Sequence, residues 1–405
     1  MLVVRRIPRR SMFKMMMARN FSDVSLSPHS HYKPPVDFDA TKYRRWVSVV
    51  PQDESKPRMV DVAADACKTS ATKFSIMTYN LLSQHYMWKK VFGYLNQNYL
   101  DWSGYRFPLI NKTLEQFHCD IMCFQEMEAR VYDEYWSSAF PEYSTMFIKK
   151  PSPNYWGHQP EECMDGVGVF IRKERFEVLA CKKLHYGEYI TENPDKFELT
   201  QDMKERVIPR NTVALLVKLL DKKTGSKVYV TNTHLYWSPQ FNDVKVIQTK
   251  VLLGVLEEFI DIEDRCNPVV VMCGDFNSTP HSDVFHLLEE GQVDTETSPE
   301  FTNKYYGEIL NAEKLEKGKI LNPFSLATAY KKLLRTDGHG LEFTSYTRSL
   351  TAVLDHIWYS NDIFQVKRIL GEVDQEYCNR TDVKGFPNRQ FPSDHIPLVA
   401  ELEYK

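Results

Sequence analysis

Residues 269–279 read Val-Val-Val-Met-Cys-Gly-Asp-Phe-Asn-Ser-Thr, and this stretch narrows the choice of fold further than any other. A run of apolar and β-branched residues is the mark of a buried strand, and it breaks at Gly274, a residue type that permits an abrupt change of backbone direction. Asp275 and Asn277 follow at once. Two residues apart on extended backbone, their side chains share one side, at a sheet edge where a ligand can approach. A carboxylate and an amide there can orient a water and hold a phosphate oxygen. The partners for that chemistry must come from elsewhere in the chain.

The chain is long enough to supply them. Its 405 residues, 42% hydrophobic and 13% aromatic, can bury a substantial core in one large domain or two, which excludes a disordered protein. Lys and Arg number 51 against 54 acidic residues, a net charge of -3, so any nucleic-acid contact must use a local basic rim. The eight cysteines show no CxxC or Cys/His zinc spacing, and several, such as Cys123 and Cys273, lie in apolar runs, as free buried thiols do. No stretch approaches the ~20 apolar residues of a membrane-spanning helix, so a soluble mature protein is expected.

The N-terminus has a different character. No acidic residue precedes Asp23, while Arg5, Arg6, Arg9, Arg10, Lys14 and Arg19 are interleaved with apolar residues. That composition, with a cleavage-like Arg19-Asn20-Phe21-Ser22, is the composition of a mitochondrial presequence over residues 1–22. The alternatives are a basic arm that touches RNA or lipid and a cytoplasmic protein; Pro8 argues against one continuous amphipathic helix. Residues 23–71 read as a low-order extension, rich in Ser, Pro, His and charge, with an apolar island at 46–50 that suits an outlying strand. The catalytic domain is expected over 72–405.

Within it, strands are expected at 73–80, 120–124, 166–171, 212–220, 227–233, 269–273, 352–359 and 396–403. Helices are expected at 105–119, 244–259 and 282–288. The weakly patterned 290–344 reads as a long insertion over one face. Many strands, several helices and few clear βαβ units suggest an α+β class: two mixed sheets packed face to face with helices outside.

Polar residues recur where the apolar runs end. Asn80, Glu126, Asn232, His234, Asp275 and Asn277 close successive strands, Asp355 and His356 lie within one, and Asp394-His395 precede the last. A single such residue is ordinarily a strand-end group or a helix cap. Their recurrence forms a kit of hard oxygen ligands and imidazoles, with no nucleophilic Ser or Cys motif and no P-loop. Carboxylates such as Glu126, with amides and waters, suit Mg²⁺ or Mn²⁺. Asp275 is placed to accept a proton from a water, and His395, oriented by Asp355, to donate to phosphoryl oxygens. The implied reaction is metal-assisted hydrolysis of a phosphate ester.

Thr78-Tyr79-Asn80-Leu81-Leu82, Phe124-Gln125-Glu126, Asp165-Gly166-Val167-Gly168, Asn232-Thr233-His234-Leu235, Gly274-Asp275-Phe276-Asn277-Ser278, Leu354-Asp355-His356-Ile357 and Ser393-Asp394-His395-Ile396-Pro397 follow one another in an order that resembles the endonuclease/exonuclease/phosphatase superfamily. His234-Leu235-Tyr236-Trp237-Ser238-Pro239, followed by Asp243-Val244-Lys245 and Gln248, is similar to the branch of carbon-catabolite-repressor deadenylases, nocturnin and Angel, and to its fungal nocturnin-like and Angel-like RNA exonucleases. The resemblance implies a four-layer α/β/β/α sandwich with the metal site between two sheets. It implies Glu126 as principal Mg²⁺ ligand, assisted by Asn80 and Asp394. Asp275 would orient or deprotonate the water, Asn277 contact the phosphate, Asp355 hold His395 against the oxyanion, and His234 serve as a second phosphate contact or acid. Asn232, Pro239, Leu350, Arg210 and Arg348 are the expected substrate contacts. Lys149-Lys150, Arg172-Lys173, Lys182-Lys183 and Lys331-Lys332 are candidates for a basic rim.

The resembling deadenylases carry Phe where this chain has Leu350, five residues before Asp355. Leucine lacks the aromatic face that contributes ~1–3 kcal/mol per stacked base, so strict poly(A) preference is not expected. The leading expectation is a Mg²⁺-dependent 3'-to-5' exoribonuclease acting on single-stranded RNA and releasing 5'-nucleotides. The alternatives are a phosphatase of the same fold acting on NADP(H) or on RNA 2',3'-cyclic phosphate ends, and a non-catalytic RNA-binding protein.

Overall fold

Alternation decides which side of each strand enters which layer. In the computed structural model, which describes residues 34–49, 72–153, 156–157, 160–307, 318–334 and 341–405, the strands in chain order are β1 (Arg44–Ser48), β2 (Lys73–Asn80), β3 (Ile121–Glu128), β4 (Tyr143–Lys149), β5 (Asp165–Arg172), β6 (Phe176–His185), β7 (Val213–Asp221), β8 (Lys227–His234), β9 (Val270–Asp275), β10 (Gln292–Asp294), β11 (Lys319–Leu321), β12 (Leu326–Thr328), β13 (Ser345–Tyr346), β14 (Thr351–Ala352), β15 (Asp355–Ser360), β16 (Phe364–Val373) and β17 (Leu398–Tyr404). The longer helices are α1 (Phe107–Phe117), α2 (Tyr186–Glu192), α3 (Asn242–Phe259) and α4 (Asp283–Glu289). Residues 1–22, the expected presequence, lie outside the described residues.

A seven-stranded sheet runs β1-β16-β17-β2-β3-β5-β4 and a six-stranded sheet runs β12-β15-β9-β8-β7-β6. On β3, Ile121 and Cys123 face the space between the sheets, where Val271 and Cys273 of β9 also pack. Met122 and Phe124 face outward onto Ile110 and Leu114 of α1. Val270 and Met272 of β9 face outward onto the side of α3. Both faces of each central strand are thus buried, which is why these strands read as nearly continuous apolar runs. The result is the four-layer α/β/β/α sandwich.

Each sheet holds one parallel pair, β2 with β3 and β8 with β9. The crossovers contain α1 and α3, and a parallel pair requires such a connection. These two βαβ units, which the sequence pattern hardly reveals, place the functional edge. Gly274 lies inside β9 rather than ending it: its φ is +153°, and a Cβ there would sit 2.2 Å from the Thr233 carbonyl oxygen of the neighbouring strand.

Several elements differ from expectation. The 46–50 island extends toward the N-terminus as β1, the edge strand pairing with β16, so the folded body takes in residues before Thr72. Buried Arg44 fastens it by donating to the carbonyls of Gly371 (2.8 Å), Leu370 (3.0 Å) and Pro397 (2.5 Å). β4 and β6 occupy sheet edges, where polar residues interrupt the apolar signal, and β16 is broken by a register shift between Val366 and Arg368. The expected insertion at 290–344 contains β10, β11 and β12, the last paired with β15; its residues 308–317 and 335–340 lie outside the described residues. No helix among the described residues is long and apolar enough to cross a membrane.

Candidate active site

In open sheets, ligands bind beyond the carboxyl ends of parallel strands, where the crossovers leave space. Both parallel pairs end on the same edge. There Asn80 closes β2, Glu126 nears the end of β3, His234 closes β8 and Asp275 closes β9. Antiparallel neighbours begin where these strands end. Asp355 opens β15 directly opposite Asp275, and Asp394-His395 precede β17, which pairs with β2.

Glu126 does not end its strand. β3 continues to Glu128, and its register against β5 slips between Gln125 and Met127. Glu126 is the extra residue of a β-bulge, with φ of +55°, a conformation uncommon for a side chain with Cβ and concentrated at functional sites. The bulge re-aims its carboxylate, which accepts from Asn80 Nδ2 (3.1 Å) and the Ser83 amide (2.9 Å). Burial, then the nearby Asp394 and Asp165, push this carboxyl up to about 8. Burial also raises Asp394, against the pull of His395 and Arg106. Asp394 Oδ1 is buried with no hydrogen-bond partner.

Behind them, buried Arg106 donates from Nη2 to the carbonyls of Leu81 (2.6 Å) and Leu82 (2.6 Å) and from Nε to that of Pro392 (2.5 Å), while its Nη1 has no hydrogen-bond partner among the described residues. It therefore braces the loops that carry the carboxylates. Two half-buried carboxyls that repel one another, one with an orphaned buried oxygen, fit a hard divalent cation, which would favour their charged forms.

The opposite half is neutralised from within. His395 Nδ1 donates to Asp355 Oδ2 at 2.7 Å, and both are buried. Although burial opposes it, Asp355 and then Asp394 hold the imidazole well above its usual range, so it stays protonated. Asp275 Oδ2 receives Asn80 Nδ2 at 2.9 Å and lies 3.8 Å from His395 Nε2 and 3.7 Å from His234 Nε2. Burial and Asp355 push the Asp275 carboxyl up to about 6, a range in which a carboxylate can take a proton near neutral pH. His234 is kept neutral by burial, with Lys150 and His395 adding repulsion. Ligand atoms of Asp275, Asp355 and His395 lie within 4.8 Å of one another. Asp355 Oδ1, like Asp394 Oδ1, is buried without a hydrogen-bond partner among the described residues, but the protonated His395 already engages the other oxygen of Asp355, so the less compensated carboxyls are Glu126 and Asp394.

The expected residues divide into those that meet here and those that do not. Asn80 bridges Glu126 to Asp275 with its amide nitrogen, while its oxygen accepts from the Leu82 amide at 3.0 Å. Asn277 is not on extended backbone. Its φ is +47°, its amide donates to Asp275 Oδ1 (2.9 Å) in a turn closed by the aspartate, and its Nδ2 donates to the Leu235 carbonyl (3.0 Å).

Asn232, expected at the substrate, is fully buried and ties the sheets together. It donates to the carbonyls of Phe124 (2.9 Å) and Gly168 (2.8 Å) and accepts from Gln125 Nε2 (2.7 Å). A polar group in the inter-sheet core must be satisfied there, which leaves nothing for a ligand. Arg210 is likewise occupied, its guanidinium lying over the Tyr236 (4.7 Å) and Phe241 (4.6 Å) rings and donating to the Arg206 carbonyl (2.7 Å). Pro239, Arg348 and Leu350 are exposed.

Sequence reading misplaced the two rim candidates Lys150 and Arg172 and gave Lys245 no role. Lys150, expected at a basic rim, is buried against Asp165 (2.7 Å), whose other oxygen accepts from Tyr86 Oη (3.0 Å), and it approaches His234 Nδ1 at 3.4 Å. Arg172, of another basic pair, reaches Asp120 at 3.1 Å. Lys245 on α3 is buried, donating to the Asn277 carbonyl (2.7 Å) and Asn242 Oδ1 (3.0 Å). It therefore secures the backbone of Asn277 in its left-handed turn. The Asp243-Val244-Lys245 motif was the one available signal for it.

Residues 77–395 match the model of the Endonuclease/Exonuclease/phosphatase family. The CCR4-Not complex 3'-5'-exoribonuclease subunit Ccr4 of Candida albicans is 31% identical over 373 residues, covering 90% of this chain and 45% of that protein. For Saccharomyces cerevisiae Ccr4 the figures are 31% over 388 residues, 93% and 43%. The chain thus spans under half the length of these relatives. Among solved structures, ANGEL2, a 2',3'-cyclic phosphatase, superposes with a TM-score of 0.69 at 23% identity, covering 89% of this chain and 98% of that one. The human Nocturnin catalytic domain gives 0.56 at 19%, covering 92% and 100%. At these identities the structures speak for the fold, while the family match spans most of the chain and every strand end that builds the site; the chain belongs to the endonuclease/exonuclease/phosphatase family.

Proposed function

We propose that this chain is a Mg²⁺-dependent 3'-to-5' exoribonuclease that releases 5'-nucleotides from single-stranded RNA. The observation that carries the reading is the convergence of two unlike halves at one sheet edge: repelling carboxyls on Glu126 and Asp394, and the protonated His395–Asp355 pair beside Asp275. The likeness to Ccr4 proteins supports RNA as the substrate class.

Glu126 and Asp394 would hold the cation, with Asn80 fixing the Glu126 carboxylate; Mn²⁺ suits the same oxygen donors. When bound, the cation supplies charge stabilisation at the phosphoryl group. Asp275 takes the proton of the attacking water. His395 donates through Nε2 to a phosphoryl oxygen, its other nitrogen held by Asp355. Neutral His234 is a hydrogen-bond partner for a second phosphoryl oxygen, and Asn277 is held by Lys245 to meet the phosphate. With Leu350 exposed in place of an aromatic platform, the enzyme does not require poly(A).

The test is a panel of single-stranded RNA, NADP(H) and RNA ending in 2',3'-cyclic phosphate, assayed with Mg²⁺ for the wild type and Glu126→Ala. Shortening of RNA to 5'-monophosphates by the wild type alone is expected. Intact RNA alongside dephosphorylated NADP(H) or cyclic ends would replace this reading with a phosphatase. We further propose that residues 1–22 direct the protein to mitochondria; imaging of the chain with and without them decides, and unchanged distribution removes the assignment.

A further inference from the structure

Residues of the segments 94–99 and 381–388 line a cavity of about 440 Å³. Its lining includes Tyr94, Tyr99 and Pro387 together with the polar residues Asn96, Lys384 and Asp382. Gly385, with φ of +135°, lines it too, and a Cβ there would lie 2.7 Å from Tyr94 Oη, so a side chain would crowd into this space.

Short hydrogen bonds connect it to the site. The Tyr346 amide donates to the Asp394 carbonyl (2.9 Å), and the Tyr346 carbonyl accepts from the Phe386 amide (2.8 Å), between cavity residues Gly385 and Pro387. Tyr346 thus hydrogen-bonds both the Asp394 backbone and the segment that lines the cavity.

The electrostatics favour an anion-bearing ligand. The Arg348 guanidinium lies 6.0 Å from the Tyr94 ring, and the Arg348 amide donates to Tyr94 Oη at 2.8 Å. Among the described residues neither Arg348 nor Lys384 has a carboxylate partner. The one cavity carboxylate, Asp382, is already engaged by Arg380 at 3.0 and 2.9 Å. Aromatic walls with two unpaired cations at the rim combine a base-stacking surface with phosphate attraction, the pairing by which single-stranded nucleic acid is held.

We propose that this cavity is a nucleobase subsite, taking the base of a nucleotide neighbouring the scissile phosphate while Lys384 and Arg348 meet its backbone. The subsite rests on the RNA-hydrolase reading and extends it: with no aromatic at Leu350, base contact moves to Tyr94.

The experiment is an abasic scan. Oligoribonucleotides, each with one abasic residue at successive positions from the cleaved end, are digested by the wild type, Tyr94→Ala and Lys384→Ala, and kcat/KM is measured over a salt series. One abasic position is expected to cost the wild type about tenfold, and that penalty should vanish in Tyr94→Ala. Lys384→Ala should act on KM and flatten the dependence of log(kcat/KM) on log salt by about one unit. Because Lys384 is an exposed side chain, its variant reports even where Tyr94→Ala fails to fold. RNA cleavage with a flat abasic scan, or with an undiminished salt slope in Lys384→Ala, overturns the subsite alone. A wild type that leaves RNA intact overturns the exoribonuclease reading, and the subsite with it.

Discussion

The two sheets bring opposite electrostatic problems to the same edge. From the seven-stranded sheet come Glu126 and Asp394, half-buried carboxyls that repel one another and that no side-chain cation among the described residues bonds directly. From the six-stranded sheet come Asp275 and Asp355, and there the negative charge is answered by His395 at 2.7 Å. In one half an imidazolium bonds the carboxylate directly, while in the other Arg106 acts on Asp394 only from behind the site. His395 itself belongs to the chain leading into the first sheet, so the ion pair also links the halves, as Asn80 does between Glu126 and Asp275. A site built this way keeps a place for a metal next to a ready proton donor without letting the two positive centres coincide.

Breaking the unneutralised half should cost most. Glu126→Gln is expected to remove RNA hydrolysis by more than the about 10²- to 10⁴-fold attributable to general acid catalysis. The same variant should raise the melting temperature of the metal-free protein, since it deletes a buried repulsion. Retained activity with no gain in stability would show that the halves do not differ as described.

Breaking the neutralised half comes next. His395→Asn and Asp355→Asn should each lower kcat by about 10²- to 10⁴-fold. The double variant should be little worse than either, because the pair acts as one unit; multiplicative losses would show that it does not. Lys245→Met, which touches neither half's ionised groups directly, should lower kcat about 10- to 100-fold with KM less affected. A loss confined to thermal stability would reduce Lys245 to a packing role.

The contrast has a pH signature. A carboxyl pushed up to about 8 binds a proton that a metal must displace, so Mg²⁺ affinity should rise about tenfold per pH unit up to roughly pH 8. Stability of the metal-free protein runs the other way. A carboxyl whose folded pKa is raised keeps more protons folded than unfolded, so stability falls as pH climbs from the ordinary glutamate range toward 8. Glu126→Gln should flatten both dependences, measured by calorimetric titration and thermal melting; unchanged slopes would assign them to another group. The smallest effect is expected outside both halves, where Leu350→Phe should increase the preference for adenosine over uridine about fivefold in a competition digest.

Much of the central architecture was legible because β3 and β9, buried on both faces, open with unbroken apolar runs, while β2 shows its strand by alternation. β4 and β6 were missed at the edges, where polar residues dilute the pattern; β1, expected as an outlying strand at 46–50, starts at Arg44, and its pairing with β16 across the whole chain was not legible. Among site residues, Asp355 and His395 met as expected. Asn232 and Arg210 carried the right chemistry in the right motifs, yet one is spent between the sheets and the other under aromatic rings. Burial is a property of the assembled layers, and a motif does not contain it.

The amino-acid order by itself determined which residues end strands, and therefore that oxygen ligands and imidazoles would gather along an edge. Local backbone periodicity is enough for that, since it depends on neighbours two to four residues away. Only the tertiary structure decided how those residues share the work. The bulge that turns Glu126 out of β3, the 2.7 Å contact of His395 with Asp355 across forty residues, and the burial of Lys150 and Lys245 all arise from strands and helices distant in sequence. Charge, protonation and free valence at the site follow from those contacts and from the exclusion of water that comes with them.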